Sequence, residues 1–324
     1  MITVAIARAL AEEFGDRIES VGAGRIQLLP LRGEEGEAPL DDVEIAVYGR
    51  YDGPLTFREL VPRMPELRWI HSTGAGIDTF VTPDLAERGV VVTNSSGVYA
   101  PAMAEYAIAG MVAIARDFRR LIEQQYEARW NHEPVAGREL YGKRVGIVGY
   151  GGTGRYLATI CKAFGMDVWA TKRRPIMTAG EPLDRVLPAE GLHELLAASD
   201  YVVVTASLNS TTRHLLGEAE LRACKPGAVL VNVARGGVLD QDVLLAVLDE
   251  GRLAGAFLDV TEPEPLPPES PLWRHPRVIV TPHIAGGSPE GWTRTIDLFC
   301  DNLALYLSGE TQRFANVADL AEHL

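Results

Sequence analysis

The run Val145-Gly-Ile-Val-Gly149-Tyr150-Gly151-Gly152-Thr153-Gly154 constrains the fold more than any other part of the chain. An apolar strand feeding three spaced glycines is a backbone making room for the pyrophosphate of a dinucleotide. Gly149 permits the tight turn and Gly151 lets main chain approach the phosphates. Gly154 lets the following helix pack close to the strand, with its free N–H groups facing the anion. A glycine triplet alone is a weak signal. Here a strand over residues 144–150 and an amphipathic helix over about residues 153–164 flank it, which is the context the motif requires. The bland alternative is a glycine-rich turn in some other α/β protein.

Apolar runs at residues 3–7, 43–48, 67–71 and 90–93 alternate with helix-like or turn-like segments, the pattern of a small parallel-sheet α/β unit ending near Gly97. An Ala-rich stretch from Pro101 to about Trp130 has few breakers and predicts one long helix bridging two domains. Strand candidates then recur at residues 145–148, 168–171, 201–204, 228–232, 255–258 and 278–280. Six strands separated by helical or turn segments predict a doubly wound sheet. A last helix is expected from Pro289 to about Leu307.

The 324 residues, 47% of them hydrophobic, suffice for two ordinary domains. A formal net charge of -13 argues against nucleic acid or an anionic membrane as partner. The three cysteines, Cys161, Cys224 and Cys300, are scattered and without C-x-x-C spacing, so neither a disulfide framework nor a metal site is expected. A reducing, cytoplasmic setting fits. The N-terminus reads as a first strand with no leader, and no run approaches membrane-spanning length.

The ribose end of a dinucleotide lies off the carboxyl end of the second strand of such a sheet, where an acid selects NAD. Asp167 is near the expected distance but opens that strand, so its carboxylate belongs at the wrong end. At the correct end stand Lys172, Arg173 and Arg174. Cations where a 2′-phosphate would lie favour NADP over NAD, because a guanidinium binds phosphate bidentately and an acid repels it. A solvated basic loop is the alternative.

Ligands bind at strand ends in this architecture, which draws attention to Arg235, Asp259, Glu264 and His283. Arg235 follows a buried strand and precedes Gly236-Gly237, placed to hold a substrate carboxylate through its fork of donors; a surface or structural role stands beside that reading. Prolines restrict the loop around Glu264. His283 follows another strand, and histidine alone titrates unperturbed near neutral pH, as proton transfer to a carbonyl oxygen requires.

Together, Ala234-Arg235-Gly-Gly, Asp259-x4-Glu264-Pro and Pro282-His283-Ile-x-Gly-Gly, in that order behind the glycine turn, resemble the D-isomer-specific 2-hydroxyacid dehydrogenase family over essentially the whole chain. The resemblance implies a Rossmann cofactor domain over residues 99–288. It also implies a smaller flavodoxin-like α/β substrate domain made of residues 1–98 with 289–324. It makes Arg235 the arginine that holds the substrate carboxylate and carbonyl, His283 the acid/base and Glu264 its partner. Asp259 resembles the aspartate near the nicotinamide amide. Ala206, Thr212, Ala234, His283 and Gly286 fall at cofactor-lining positions, beside Gly149 to Gly154 and the three cations. Thr73, Gly74, Ala75 and Gly76, in Ser72-Thr-Gly-Ala-Gly-Ile-Asp78, resemble the loop whose amides receive the substrate carboxylate.

The departures are Tyr106 for a common His, Ser207-Leu208-Asn209 for Pro-Leu-Thr, Thr261 for a frequent Phe, and no acid at the ribose position. The expected activity is reduction of a 2-oxo acid to a D-2-hydroxy acid and the reverse, like a glyoxylate or hydroxypyruvate reductase, in a homodimer helped by the Ala-rich helix. The substrate pocket is expected around Arg50, Tyr51 and Ser72, and from residues near Trp292 and a partner subunit. Formate or phosphite oxidation on the same scaffold is an alternative activity, and Glu264 in place of the Gln of formate-oxidising relatives disfavours formate oxidation. A phosphoglycerate dehydrogenase-like activity and a cofactor-sensing corepressor-like protein are the other readings.

Overall fold

A parallel sheet covered on both faces needs continuous apolar strands, and the chain supplies them in two sets. The computed structural model describes residues 1–32, 39–49, 56–77, 80–131 and 137–320. They fall into two units, Met1–Val98 with Ser288–Leu324, and Tyr99–Gly287. The first begins β1 (Ile2–Ala7), α1 (Arg8–Gly22), β2 (Ile26–Leu31) and β3 (Val43–Tyr48). It continues with α2 (Phe57–Leu60), β4 (Trp69–Ser72), α3 (Pro83–Glu87) and β5 (Val91–Asn94). All pairings are parallel, in the order β2-β1-β3-β4-β5, which is the flavodoxin-like order. β2 lies outside the strands expected from sequence. Pro30 interrupts its run, and an edge strand tolerates a missing N–H.

The second unit opens with α4 (Ala100–Ala115) and α5 (Phe118–Tyr126). The single long helix expected here is two, because Asp117 takes a left-handed backbone (φ 53°), a conformation Asp tolerates better than most residues. Across the break, Arg138 N–H donates to the last carbonyl of α4, at Ala115 (2.8 Å), and Arg119 donates to the Val278 carbonyl (2.9 Å). The small residues of α4 have a packing reason: a Cβ at Gly110 would lie 2.5 Å from the Phe257 ring.

Then follow β6 (Arg144–Val148), α6 (Gly152–Ala163), β7 (Asp167–Thr171), β8 (Arg185–Leu187), α7 (Leu192–Ala198) and β9 (Tyr201–Val204). The unit closes with α8 (Glu218–Ala223), β10 (Val229–Asn232), α9 (Gln241–Asp249), β11 (Gly255–Leu258) and β12 (Val278–Val280). The parallel order is β12-β11-β10-β9-β6-β7-β8. It holds the six expected strands and one more, β8, a three-residue edge too short to show a period. The chain winds outward from β6 in one direction and from β9 in the other, so the switch point lies between them. The glycine turn leaves β6 there.

α10 (Pro289–Ser308) returns to the first unit. Ser288 caps it by accepting from Gly291 N–H (3.0 Å), and Gly309, at φ 77°, ends it. Its apolar face covers the β1-β3-β4 sheet, with Phe299 stacked on Trp69 at 5.2 Å between centroids. Beside them His71 is fully buried, with Nδ1 2.8 Å from Thr93 Oγ1. Burial pushes its imidazole down to about 3.

The folded unit therefore holds a neutral His71 that the unfolded chain protonates below about 6.5. Its contribution to stability is whole above that pH and is lost as pH falls toward about 3. His71→Leu is expected to flatten the loss of unfolding free energy between pH 6.5 and 4, by a slope of at most about 1.4 kcal/mol per pH unit. Parallel melting curves for parent and variant across that window would refute this.

Candidate active site

Each glycine of the turn meets a different neighbour. A Cβ at Gly149 (φ 90°) would lie 2.7 Å from Ala206 Cα, and one at Gly154 would lie 2.7 Å from the Gly149 carbonyl oxygen. Both positions exclude side chains because two strand ends and a helix converge there. Around Gly151, by contrast, nothing stands within 4 Å of the would-be Cβ. Gly149 N–H donates to Thr171 Oγ1 (3.1 Å), Thr205 Oγ1 donates to the Gly149 carbonyl, and Thr205 N–H donates to Val148 (2.9 Å). The turn is thus fastened to the ends of both neighbouring strands. Gly151 is the N-cap of α6, so the first N–H groups of that helix, at Gly152, Thr153 and Gly154, face the space beside it. The open backbone at Gly151 and a helix N-terminus held against a switch point fit a dinucleotide pyrophosphate.

At the end of β7, Asp167 is at the far end of the strand, as expected. Its carboxylate pairs with Arg144 at 2.6 Å. Lys172 follows the strand directly and its ammonium donates to the Ile176 carbonyl (3.0 Å); Arg173 and Arg174 are exposed. The expectation that no acid stands here needs correction. Glu181, from the loop before β8, brings its carboxylate 3.4 Å from Lys172 Nζ and 3.1 Å from Arg155. No sequence signal marks Glu181, because nine residues of loop separate it from the strand it serves.

The ends of β10, β11 and β12 are wired together. Asn232, fully buried, accepts from Ala234 N–H (3.0 Å) and donates to the Arg235 carbonyl (3.0 Å), which shapes the turn carrying Arg235. The half-buried Arg235 guanidinium donates to the Ala234 carbonyl (2.9 Å). A Cβ at Gly236 would lie 2.1 Å from the Thr261 carbonyl, so the Arg235 turn sits directly on the loop that carries Glu264. Within that loop Thr261 N–H donates to Glu264 Oε1 (3.1 Å), leaving Oε2 for His283 Nδ1 at 2.7 Å. A carboxylate only accepts, so Nδ1 carries hydrogen and Nε2 is the histidine's working atom. His283 has a left-handed backbone (φ 54°), held by its N–H donating to the Asp259 carbonyl at 2.7 Å.

Asp259 is 1% exposed. Thr281 Oγ1 (2.7 Å) and Ile284 N–H (3.0 Å) donate to one of its oxygens and Ala285 N–H (2.8 Å) to the other. What the structure shows of it is an anchor for the His283 loop rather than a surface offered to a ligand. Asn232, Thr171 and Thr205 do comparable work and were not singled out from sequence; each is a polar residue closing or following a buried strand, which is the signal that could have found them. Thr212 Oγ1 donates to the Ser207 carbonyl (2.6 Å), and Asn209 Oδ1 receives Thr211 and Thr212 N–H (2.9 and 3.1 Å). The substituted Ser207-Leu208-Asn209 thereby makes its own side-chain-stabilised turn. Ala234 is buried, and Gly286 lies against the Tyr99 ring, its would-be Cβ at 3.5 Å.

In the first unit, Thr73 N–H donates to Tyr48 (2.8 Å), Gly74 N–H to Ser72 Oγ (3.3 Å), and the Gly74 carbonyl accepts from Ser95 (3.0 Å). Ala75 is exposed at the crest of this loop and Gly76 follows it. Asp78, Arg50 and Tyr51 lie outside the described residues.

A family model described as D-isomer specific 2-hydroxyacid dehydrogenase, NAD binding domain, matches residues 108–285. A glyoxylate reductase of Korarchaeum cryptofilum is 35% identical over 260 residues, covering 78% of this chain and 76% of that protein. Among solved structures, a D-isomer specific 2-hydroxyacid dehydrogenase family protein from Aeromonas salmonicida matches with a TM-score of 0.85 at 27% identity, covering 98% of this chain and 99% of that one. Another from Xanthobacter autotrophicus, in complex with NADPH and MES, matches with a TM-score of 0.80 at 28% identity and covers 99% of each chain.

Asp259→Asn replaces one acceptor by a donor against three donors and leaves a buried N–H without its partner. It is expected to lower the unfolding free energy by about 1–3 kcal/mol. A denaturant midpoint equal to the parent's would contradict the anchoring role.

Proposed function

Because the chain belongs to the D-isomer specific 2-hydroxyacid dehydrogenase family, we propose that it reduces a small 2-oxo acid, of the size of glyoxylate or hydroxypyruvate, to the D-2-hydroxy acid with a nicotinamide dinucleotide. The observation that carries this reading is the 2.7 Å contact of His283 Nδ1 with Glu264, on a loop packed against the turn of Arg235. The cofactor's place is the glycine turn from Gly149 to Gly154, and bound there a reduced nicotinamide supplies the hydride. Arg235 holds the substrate carboxylate through its fork of donors. His283 gives its Nε2 proton to the oxygen that gains negative charge. Glu264 fixes the ring's tautomer and offsets the charge of the imidazolium. In the oxidation direction the same Nε2 takes the proton back. Of the two cofactors, the cations Lys172, Arg173 and Arg174 favour NADP.

The protein acts as a homodimer in this reading. Phe118, Leu121, Ile122 and Tyr126 recur at helical spacing on α5 and are 44%, 39%, 49% and 86% exposed, an apolar stripe that a second copy would cover.

His283→Ala is expected to lower turnover of glyoxylate by about 10²–10⁴-fold while cofactor binding, followed by nicotinamide fluorescence, persists; comparable activity in the variant would sink the assignment. Ile122→Glu is expected to halve the mass measured by light scattering, and a dimer that survives it would move the interface elsewhere.

A further inference from the structure

Tyr150, Arg155, Lys172 and Glu181 form a cluster at the end of β7 that the proposed hydride transfer does not use. Arg155 stands in the first turn of α6 and Lys172 directly after β7, and both cations converge on Glu181 Oε1, at 3.1 and 3.4 Å. Thr178 donates to the same carboxylate through its hydroxyl (2.9 Å) and its N–H (3.3 Å). Burial works to raise the carboxyl, but the Thr178 and Lys172 donors outweigh it and hold it below the usual carboxylate range. The acid is therefore a fixed negative charge at neutral pH. Its side chain is 3% exposed, against 25% for Lys172 and 59% for Arg155, so the anion lies beneath and the cations face outward. Lys172 Nζ and Arg155 Cζ stand 5.6 and 5.8 Å from the Tyr150 ring centroid. The buried Tyr150 hydroxyl has no hydrogen-bond partner among the described residues.

We propose that Glu181 is a specificity-determining residue that acts through Lys172 and Arg155: it keeps both cations at the ribose end of the cofactor site and, by neutralising part of their charge, limits the preference for a 2′-phosphate over a 2′-hydroxyl. The inference rests on the reading that the cations after β7 receive that phosphate. The physical basis is a charge difference. NADP and NAD differ at the ribose by a phosphate, so a buried carboxylate behind the cations repels one and is nearly indifferent to the other. A second anion inside the cluster takes up donors that the phosphate would otherwise use.

The deciding readout is binding, which needs no turnover. Binding of adenosine 2′,5′-bisphosphate and of adenosine 5′-monophosphate is measured by calorimetry for the parent, Glu181→Gln, Glu181→Asp and Lys172→Met, and the KM values for NADPH and NADH are compared in parallel. In Glu181→Gln the preference for the bisphosphate over the monophosphate is expected to rise by about tenfold, and the rise to shrink as salt is added. The KM for NADPH falls relative to that for NADH. Glu181→Asp, which keeps the charge, retains the parent preference. If Lys172→Met weakens the bisphosphate while Glu181→Gln leaves the preference unchanged or lowers it, the inference is overturned and the reading of the cations stands. If Lys172→Met leaves bisphosphate binding untouched, both fall.

Discussion

The carboxylate of Asp259 is nearly sealed from water, and a charge so placed is tolerable only with donors around it. Its side chain gathers Thr281, Ile284 and Ala285 from the segment after β12, while its own N–H donates to the Asn232 carbonyl at the end of β10. Its carbonyl receives the N–H of His283. One residue at the end of β11 thereby joins three strand ends and sets the left-handed backbone that lets the His283 ring meet Glu264. The contact between His283 and Glu264 depends on a residue that the structure keeps below the surface.

Steric exclusion does for the backbone what Asp259 does for the charges. Ala206 against Gly149, the Gly149 carbonyl against Gly154 and the Thr261 carbonyl against Gly236 are three approaches too close for a side chain. Each brings two loops into register at the carboxyl ends of the strands. Gly151 differs from these three: nothing stands within 4 Å of its would-be Cβ, which leaves its backbone open to close approach.

Much of this was legible in the sequence. The glycine turn and the apolar runs of six of the seven strands of the second sheet identified a doubly wound sheet, and the order of Arg235, Glu264 and His283 pointed to chemistry at its strand ends. The edge strands β2 and β8 were not legible, because Pro30 interrupts one and the other has only three residues. The break at Asp117 also escaped, since nothing local forbids a helix through Arg116-Asp117 and the interruption reflects tertiary partners such as the Arg138 N–H on Ala115.

Local rules act over a few residues, so the sequence by itself determined what each segment is: strand, helix N-terminus, cation-bearing loop, histidine after a strand. Only the tertiary structure decided which segments share a charge or a proton. Glu264 and His283 are 19 positions apart and meet at 2.7 Å, while Glu181 reaches Arg155 across 26 positions. Such pairings arise from how parallel strands stack their ends together, which no periodicity along the chain encodes. For that reason the catalytic candidates could be named from residue type and order, whereas the acid beneath the cations after β7 appeared only once the sheet was assembled.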